Sequence, residues 1–149
     1  MLKTFTTAFA VLLFTVGQAF AAGDTPVGLW KSIDDKTGQP RSLIRIVDAG
    51  GKLEGTIEKL LNRQPDDDPD GLCRACKGEL KDKPVLGMKI MKGFVRDGDA
   101  WVDGEILDPK NGKVYSCKLK LADGGKKLDV RGFVGLSVLG RTQTWLREE

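Results

Sequence analysis

The stretch Tyr115-Ser116-Cys117-Lys118-Leu119-Lys120-Leu121 decides the class of fold. Side chains alternate across a strand with a period of two, so Tyr115, Cys117, Leu119 and Leu121 share one face. Ser116, Lys118 and Lys120 share the other. A strand with one apolar and one charged face suits an antiparallel sheet with one side in water. Glycine-rich turn clusters stand on either side, Asp108-Pro109-Lys110-Asn111-Gly112 before it and Asp123-Gly124-Gly125 after it.

The same rhythm extends in both directions. Leu128 and Val130 oppose Asp129 and Arg131, and Leu53, Gly55 and Ile57 oppose Glu54, Thr56 and Glu58. Ile44 and Ile46 alternate with Leu43, Arg45 and Val47, and Leu86, Met88 and Ile90 alternate with Gly87 and Lys89. Further turns lie at Asp48-Ala49-Gly50-Gly51 and Arg96-Asp97-Gly98-Asp99. Adding Trp30–Asp34, Trp101–Leu107 and Thr142–Arg147 makes about eight short strands at hairpin spacing. Such a run predicts a small all-β antiparallel barrel, since closure leaves no unpaired edge. Two segments break the rhythm. Gly132–Gly140 is apolar and glycine-punctuated, and is expected as an irregular plug or helical turn packed at one barrel end. Residues 62–83 form one long loop without alternation, and loops of that length in compact domains are usually functional or disordered.

The chain opens with Lys3 as its one early charge, an uncharged apolar run from Ala8 to Val16, and Ala19-Phe20-Ala21. That is the pattern of a secretion signal cleaved after Ala21, and its apolar run is too short to anchor in a bilayer. Residues 1–21 are therefore expected to be removed, leaving 22–149 as a single domain with no transmembrane segment. Loss of Lys3 leaves 23 basic against 21 acidic residues. The two signs are interleaved, without the basic stripe that nucleic-acid binding requires. The chain has no histidine. That excludes Ser-His-Asp and Cys-His nucleophile systems, histidine-ligated zinc and histidine-ligated haem. No cofactor is implied.

Four groups of residues together carry a resemblance. They are Gly28-Leu29-Trp30; Cys73-x-x-Cys76 with Pro84-Val85-Leu86-Gly87-Met88; Trp101-x-x-Gly104-x-Ile106-x-Asp108-Pro109-x-x-Gly112-Lys113-x-Tyr115-x-Cys117; and Arg131-Gly132-Phe133 with Gly140-Arg141-Thr142-Gln143-Thr144-Trp145. With these, the chain resembles the secreted bacterial domain-of-unknown-function family 2147 over nearly all of residues 22–149. The resemblance implies an up-and-down, lipocalin-like (calycin) β-barrel in the periplasm of a Gram-negative bacterium, or secreted from it. It implies no agreed activity. By analogy with the Gly-x-Trp of lipocalins, Trp30 closes one barrel end under a cation of the last strand, Arg141 or Arg147, with Arg141 taken as the barrel-closing residue.

Cys73 and Cys76 are expected to form a disulfide stapling the long loop, the usual state of such a pair in an oxidising compartment. A soft-metal site, a redox dithiol and a variant haem attachment are the rival readings, and Cys117 is a possible third partner. Asp66-x-Asp68-x-Asp70-Gly71 matches the opening of a calcium loop, but Lys77 stands where a glutamate closes such loops. Leu86, Met88, Ile90, Trp101 and Tyr115 are candidates to line a ligand cavity, with plain core packing as the alternative. Asp103, Glu105, Asp108 and Tyr115 form a candidate polar cluster, with Asp108 as a turn cap the simpler reading. The leading expectation is a non-enzymatic binder of a small, largely apolar molecule, lidded by the long loop. The alternatives are an envelope interaction module with a filled barrel, and an enzyme working through carboxylates or the cysteine pair.

Overall fold

A computed structural model describes residues 23–149, and the expected signal lies outside the described residues. Eight strands follow in chain order: β1 (Gly28–Ile33), β2 (Pro40–Ala49), β3 (Lys52–Leu60), β4 (Lys89–Asp97), β5 (Ala100–Asp108), β6 (Lys113–Ala122), β7 (Lys127–Phe133) and β8 (Arg141–Arg147). Each pairs antiparallel with the next, and β8 returns to β1, where Trp30 opposes Arg147. The result is a closed up-and-down barrel of the expected class. The turn clusters read from the sequence fall between β2 and β3, β4 and β5, β5 and β6, and β6 and β7.

Register and bulges decide which side chains point inward. On β6, Cys117 and Leu119 are buried and Tyr115 and Leu121 half-buried, as the alternation requires. On β5, Asp103 adopts φ 60°, and the register slips between Trp101 and Gly104. This bulge turns both Trp101 and Gly104 inward while Asp103 and Glu105 stay outside. The strand read at Leu86–Ile90 instead starts at Lys89. Gly87 at φ 85° and the Met88 amide bonded to the Val85 carbonyl make the preceding residues a turn, and Leu86 points out.

The barrel has one closed and one open end. Trp30 is fully buried at the closed end, its Nε1 donating to the Pro26 carbonyl at 2.7 Å. Arg147, not Arg141, covers it, with the guanidinium carbon 4.2 Å from the ring centroid. Register explains the correction: Arg147 opposes Trp30 across β8 and β1, whereas Arg141 starts β8 at the far end. The Arg147 guanidinium also donates to the carbonyls of Thr25, Val27 and Gly125, tying the N-terminal segment to the β6–β7 turn. Gly28 has φ 143°, and a side chain there would lie 2.7 Å from the Glu149 carbonyl oxygen. The Gly-x-Trp spacing thus has a local steric reason.

Above Trp30 the closed half is filled. Ile46, Leu53, Met91, Phe94, Trp101, Leu119 and Leu128 are all buried there. A side chain at Gly104 would collide with the Phe94 ring, so Gly104 makes room for the phenyl group. Burying a residue of that size contributes about 1.5–3 kcal/mol.

The Gly132–Gly140 segment is not a plug. β7 runs on to Phe133, a single 3-10 turn follows at Ser137–Leu139, and Val134, Leu136, Val138 and Leu139 are 69–77% exposed. The Arg131 guanidinium holds the turn by its Ser137 and Val138 carbonyls, so the segment sits at the rim of the open end rather than inside it.

Candidate functional site

The open half of the barrel and its rim line a cavity of about 920 Å³, partly open to solvent, at the upper end of the range for ligand sites. Its floor is apolar: Ile44, Ile57, Ile90, Ile106, Val130 and Trp145. These side chains come from β2, β3, β4, β5, β7 and β8, the inward positions of strands whose outward neighbours are mostly polar. A few polar groups look into this space. The Ser32 and Ser42 hydroxyls bond to each other at 2.7 Å on paired positions of β1 and β2. The Trp145 Nε1 donates to Gln143 Oε1 at 3.1 Å, and the Tyr115 hydroxyl accepts from Asn111 Nδ2 at 3.0 Å.

The long loop between β3 and β4 lies across the mouth. On one side the Arg41 guanidinium holds Asp67 at 2.7 Å, Asn62 Nδ2 donates to the Pro40 carbonyl, and Gln64 Nε2 reaches Asp34. On the other, Lys110 pairs with Asp66 at 2.7 Å. Gly112 packs so tightly that a side chain there would collide with the Ala75 carbonyl. The loop therefore spans from the β1–β2 side to the β5–β6 turn, and Leu61, Leu72, Ala75 and Val85 turn towards the cavity. Cys73 and Cys76 are joined within it, with Cα atoms 5.3 Å apart, and both are buried. Cys117 is free and buried, and burial pushes its thiol up to about 12. A thiol held protonated is a small apolar group rather than a nucleophile.

The acidic run in the loop does not converge. Asp66 faces Lys110, while Asp68 and Asp70 face Arg74. Asp68 also accepts from the backbone N–H groups of Asp70 and Leu72. Among the described residues no three carboxylate or thiol groups come together around a common point. The calcium-loop spacing is thus used to build a turn and to hold cations of the chain itself.

The structure divides the five cavity candidates. Ile90 and Tyr115 line the cavity. Leu86 is 54% exposed on the outer surface. Met88 is buried outside the cavity, and Trp101 lies in the filled half with the Arg96 guanidinium 5.4 Å from its ring. Trp145, Ile44, Ile57, Ile106, Val130 and the serine pair were not singled out beforehand. Alternation shows that they face inward, but not whether the interior at their height is filled.

The polar cluster proposed around Asp108 is dispersed. Asp103 and Glu105 lie outside the barrel, and Asp108 accepts from the Lys110 amide at 2.9 Å, capping its turn. At the rim, the backbone N–H of Thr37 heads the bonds that lower the Asp34 carboxyl. Burial acts to raise Asp67, but the Arg41 guanidinium, the Gln64 amide and Lys110 together hold it below the ordinary carboxylate range. Both shifts favour the anion, the opposite of what a general acid at neutral pH needs.

Residues 28–147 match the model of a family described as "Uncharacterized protein conserved in bacteria (DUF2147)". Among solved structures the chain is similar to one described as "Protein HP1028 from the human pathogen Helicobacter pylori belongs to the lipocalin family". The two superpose with a TM-score of 0.67 at 15% identity, covering 83% of this chain and 82% of that one. At that identity the likeness shows a shared lipocalin-like fold. No curated protein matches the chain.

Proposed function

We propose that this chain, which belongs to the DUF2147 family, takes a small and largely apolar molecule into the open half of its barrel. The observation that carries this reading is the cavity itself: about 920 Å³ over an apolar floor, above a half that is filled. Strand side chains alone do not require that space, because the same sheet packs solidly around Phe94 and Trp101. The serine pair, Gln143 and Tyr115 supply the few polar groups that orient a ligand in such a site. The lid lies across the mouth and is cross-linked at Cys73–Cys76, which suits an oxidising compartment. The leader pattern and the cross-linked lid support binding in the periplasm or outside the cell. The similar protein described as a lipocalin gives the fold a precedent of name only.

Trp145 makes the proposal testable because it lines the cavity while Trp30 and Trp101 lie in the filled half. Brominated fatty acids quench indoles they touch. Titration should quench a saturable part of the emission, and that part should disappear in Trp145→Phe. Quenching that never saturates, or that survives in Trp145→Phe, would remove the cavity as the binding site.

A further inference from the structure

Among the described residues, seven of the ten exposed large apolar side chains lie on the open-end side: Leu80, Leu86, Val114, Val134, Leu136, Val138 and Leu139. The four most exposed form the β7–β8 loop, 69–77% accessible. The loop is built the reverse of one that faces water. The Arg131 guanidinium gathers the Ser137 and Val138 carbonyls, and Lys118 Nζ reaches Ser137 Oγ at 3.4 Å. The Leu139 amide bonds to the Leu136 carbonyl and the Gly140 amide to the Ser137 carbonyl. Backbone polarity is thus directed inward, and the apolar side chains are left projecting outward. Clustered exposed apolar groups of this kind mark an interaction surface.

Charge indicates what covers it. From Val130 to Leu146 the sequence carries Arg131 and Arg141 and no acidic residue, Arg141 pairing with Asp35. Lys118 faces Arg131 across β6 and β7, with Lys113 at the same end of β6. Among the described residues none of Lys113, Lys118 and Arg131 has a carboxylate within ion-pairing distance. A second copy seated loop to loop would bring these like charges together. An anionic lipid surface meets both demands, taking the apolar tips among its acyl chains and the cations among its headgroups.

We propose that the β7–β8 loop seats the open end of the barrel on an anionic phospholipid membrane. Gly132, Arg141 and Gln143, at the roots of this loop, also line the cavity. A barrel docked there presents its mouth to the bilayer, from which an apolar ligand can enter without crossing water.

The test is sedimentation of the mature chain with vesicles of phosphatidylcholine containing one-third phosphatidylglycerol, against vesicles of phosphatidylcholine alone. Binding is expected to the anionic vesicles, at least tenfold weaker in Leu136→Asp/Leu139→Asp, and several-fold weaker in Lys113→Gln/Lys118→Gln or at high salt. Leu136, Leu139 and Lys113 are exposed and Lys118 is half-buried, and the melting curves of both double variants should match the parent. Equal binding to both vesicle types, no binding to either, or binding unchanged by the aspartates would overturn the proposal. So would a dimer in sedimentation velocity that the aspartates dissociate, which would assign the loop to a second copy. Quenching of Trp145 by a soluble probe is read without vesicles, so failure of membrane docking and failure of cavity binding are separate results.

Discussion

Arg147 shows how much one side chain can hold at the closed end. Its guanidinium stacks on Trp30 and donates to three carbonyls belonging to the N-terminal segment and the β6–β7 turn. Charged hydrogen bonds and a partly desolvated cation–π contact each contribute on the order of 1–2 kcal/mol, and they are not additive. Arg147→Ala should therefore cost about 2–4 kcal/mol, seen as a lower urea midpoint with an unchanged slope. Arg141→Ala should leave the midpoint nearly unchanged, because Arg141 is 72% exposed and pairs only with the rim residue Asp35 and not with Trp30. The choice between the two arginines was open in the sequence, since both lie on β8 near aromatic or polar neighbours. Pairing across the closure of the barrel settles it.

Among elements, the lid has the clearest pH dependence. Asp66 is lowered first by its bond to Lys110, and Asp68 first by the Leu72 amide. Asp67 is lowered by Arg41 and its neighbours against the opposing effect of burial. A carboxyl lowered in the folded state binds its proton more readily when unfolded. Its contribution is therefore complete above the ordinary value near 4 and is lost as pH falls through the folded value. Protection of the amides at residues 62–83, taken relative to the exchange rate of an unstructured chain at the same pH, should be high at neutral pH and should fall below about pH 4, before the strands open. Simultaneous loosening of lid and barrel would show that these pairs do not govern the lid separately. Length and lack of alternation identified the loop in the sequence. Its direction across the mouth was not legible, because Arg41–Asp67 and Lys110–Asp66 join residues far apart in the chain.

For the whole molecule, the central feature is a barrel filled in one half and hollow in the other. Val130 is buried at the floor of the hollow half and borders the cavity, so a larger side chain would project into it. Val130→Phe should keep or slightly raise the melting temperature, since filling a void adds dispersion contacts. It should also weaken an apolar probe by about tenfold, equivalent to about 1.4 kcal/mol. A destabilised variant would mean that Val130 is already tightly packed; unchanged probe affinity would mean that the probe binds elsewhere.

The sequence by itself determined most of the strands and their turns, the all-β class and the cysteines of the lid. Each depends on interactions between near neighbours: period-two alternation, backbone needs met by glycine and asparagine in turns, and short loop closure. It also excluded histidine chemistry by composition alone. Only the tertiary structure decided that Arg147 caps Trp30, that Leu86 faces outward, that Gly132–Gly140 forms an exposed loop, and that Trp145 and the Ser32–Ser42 pair line a cavity. These depend on register, on a bulge at Asp103, and on whether inward side chains from opposite walls meet. Alternation gives the direction of a side chain, but what it meets is set by residues elsewhere in the barrel.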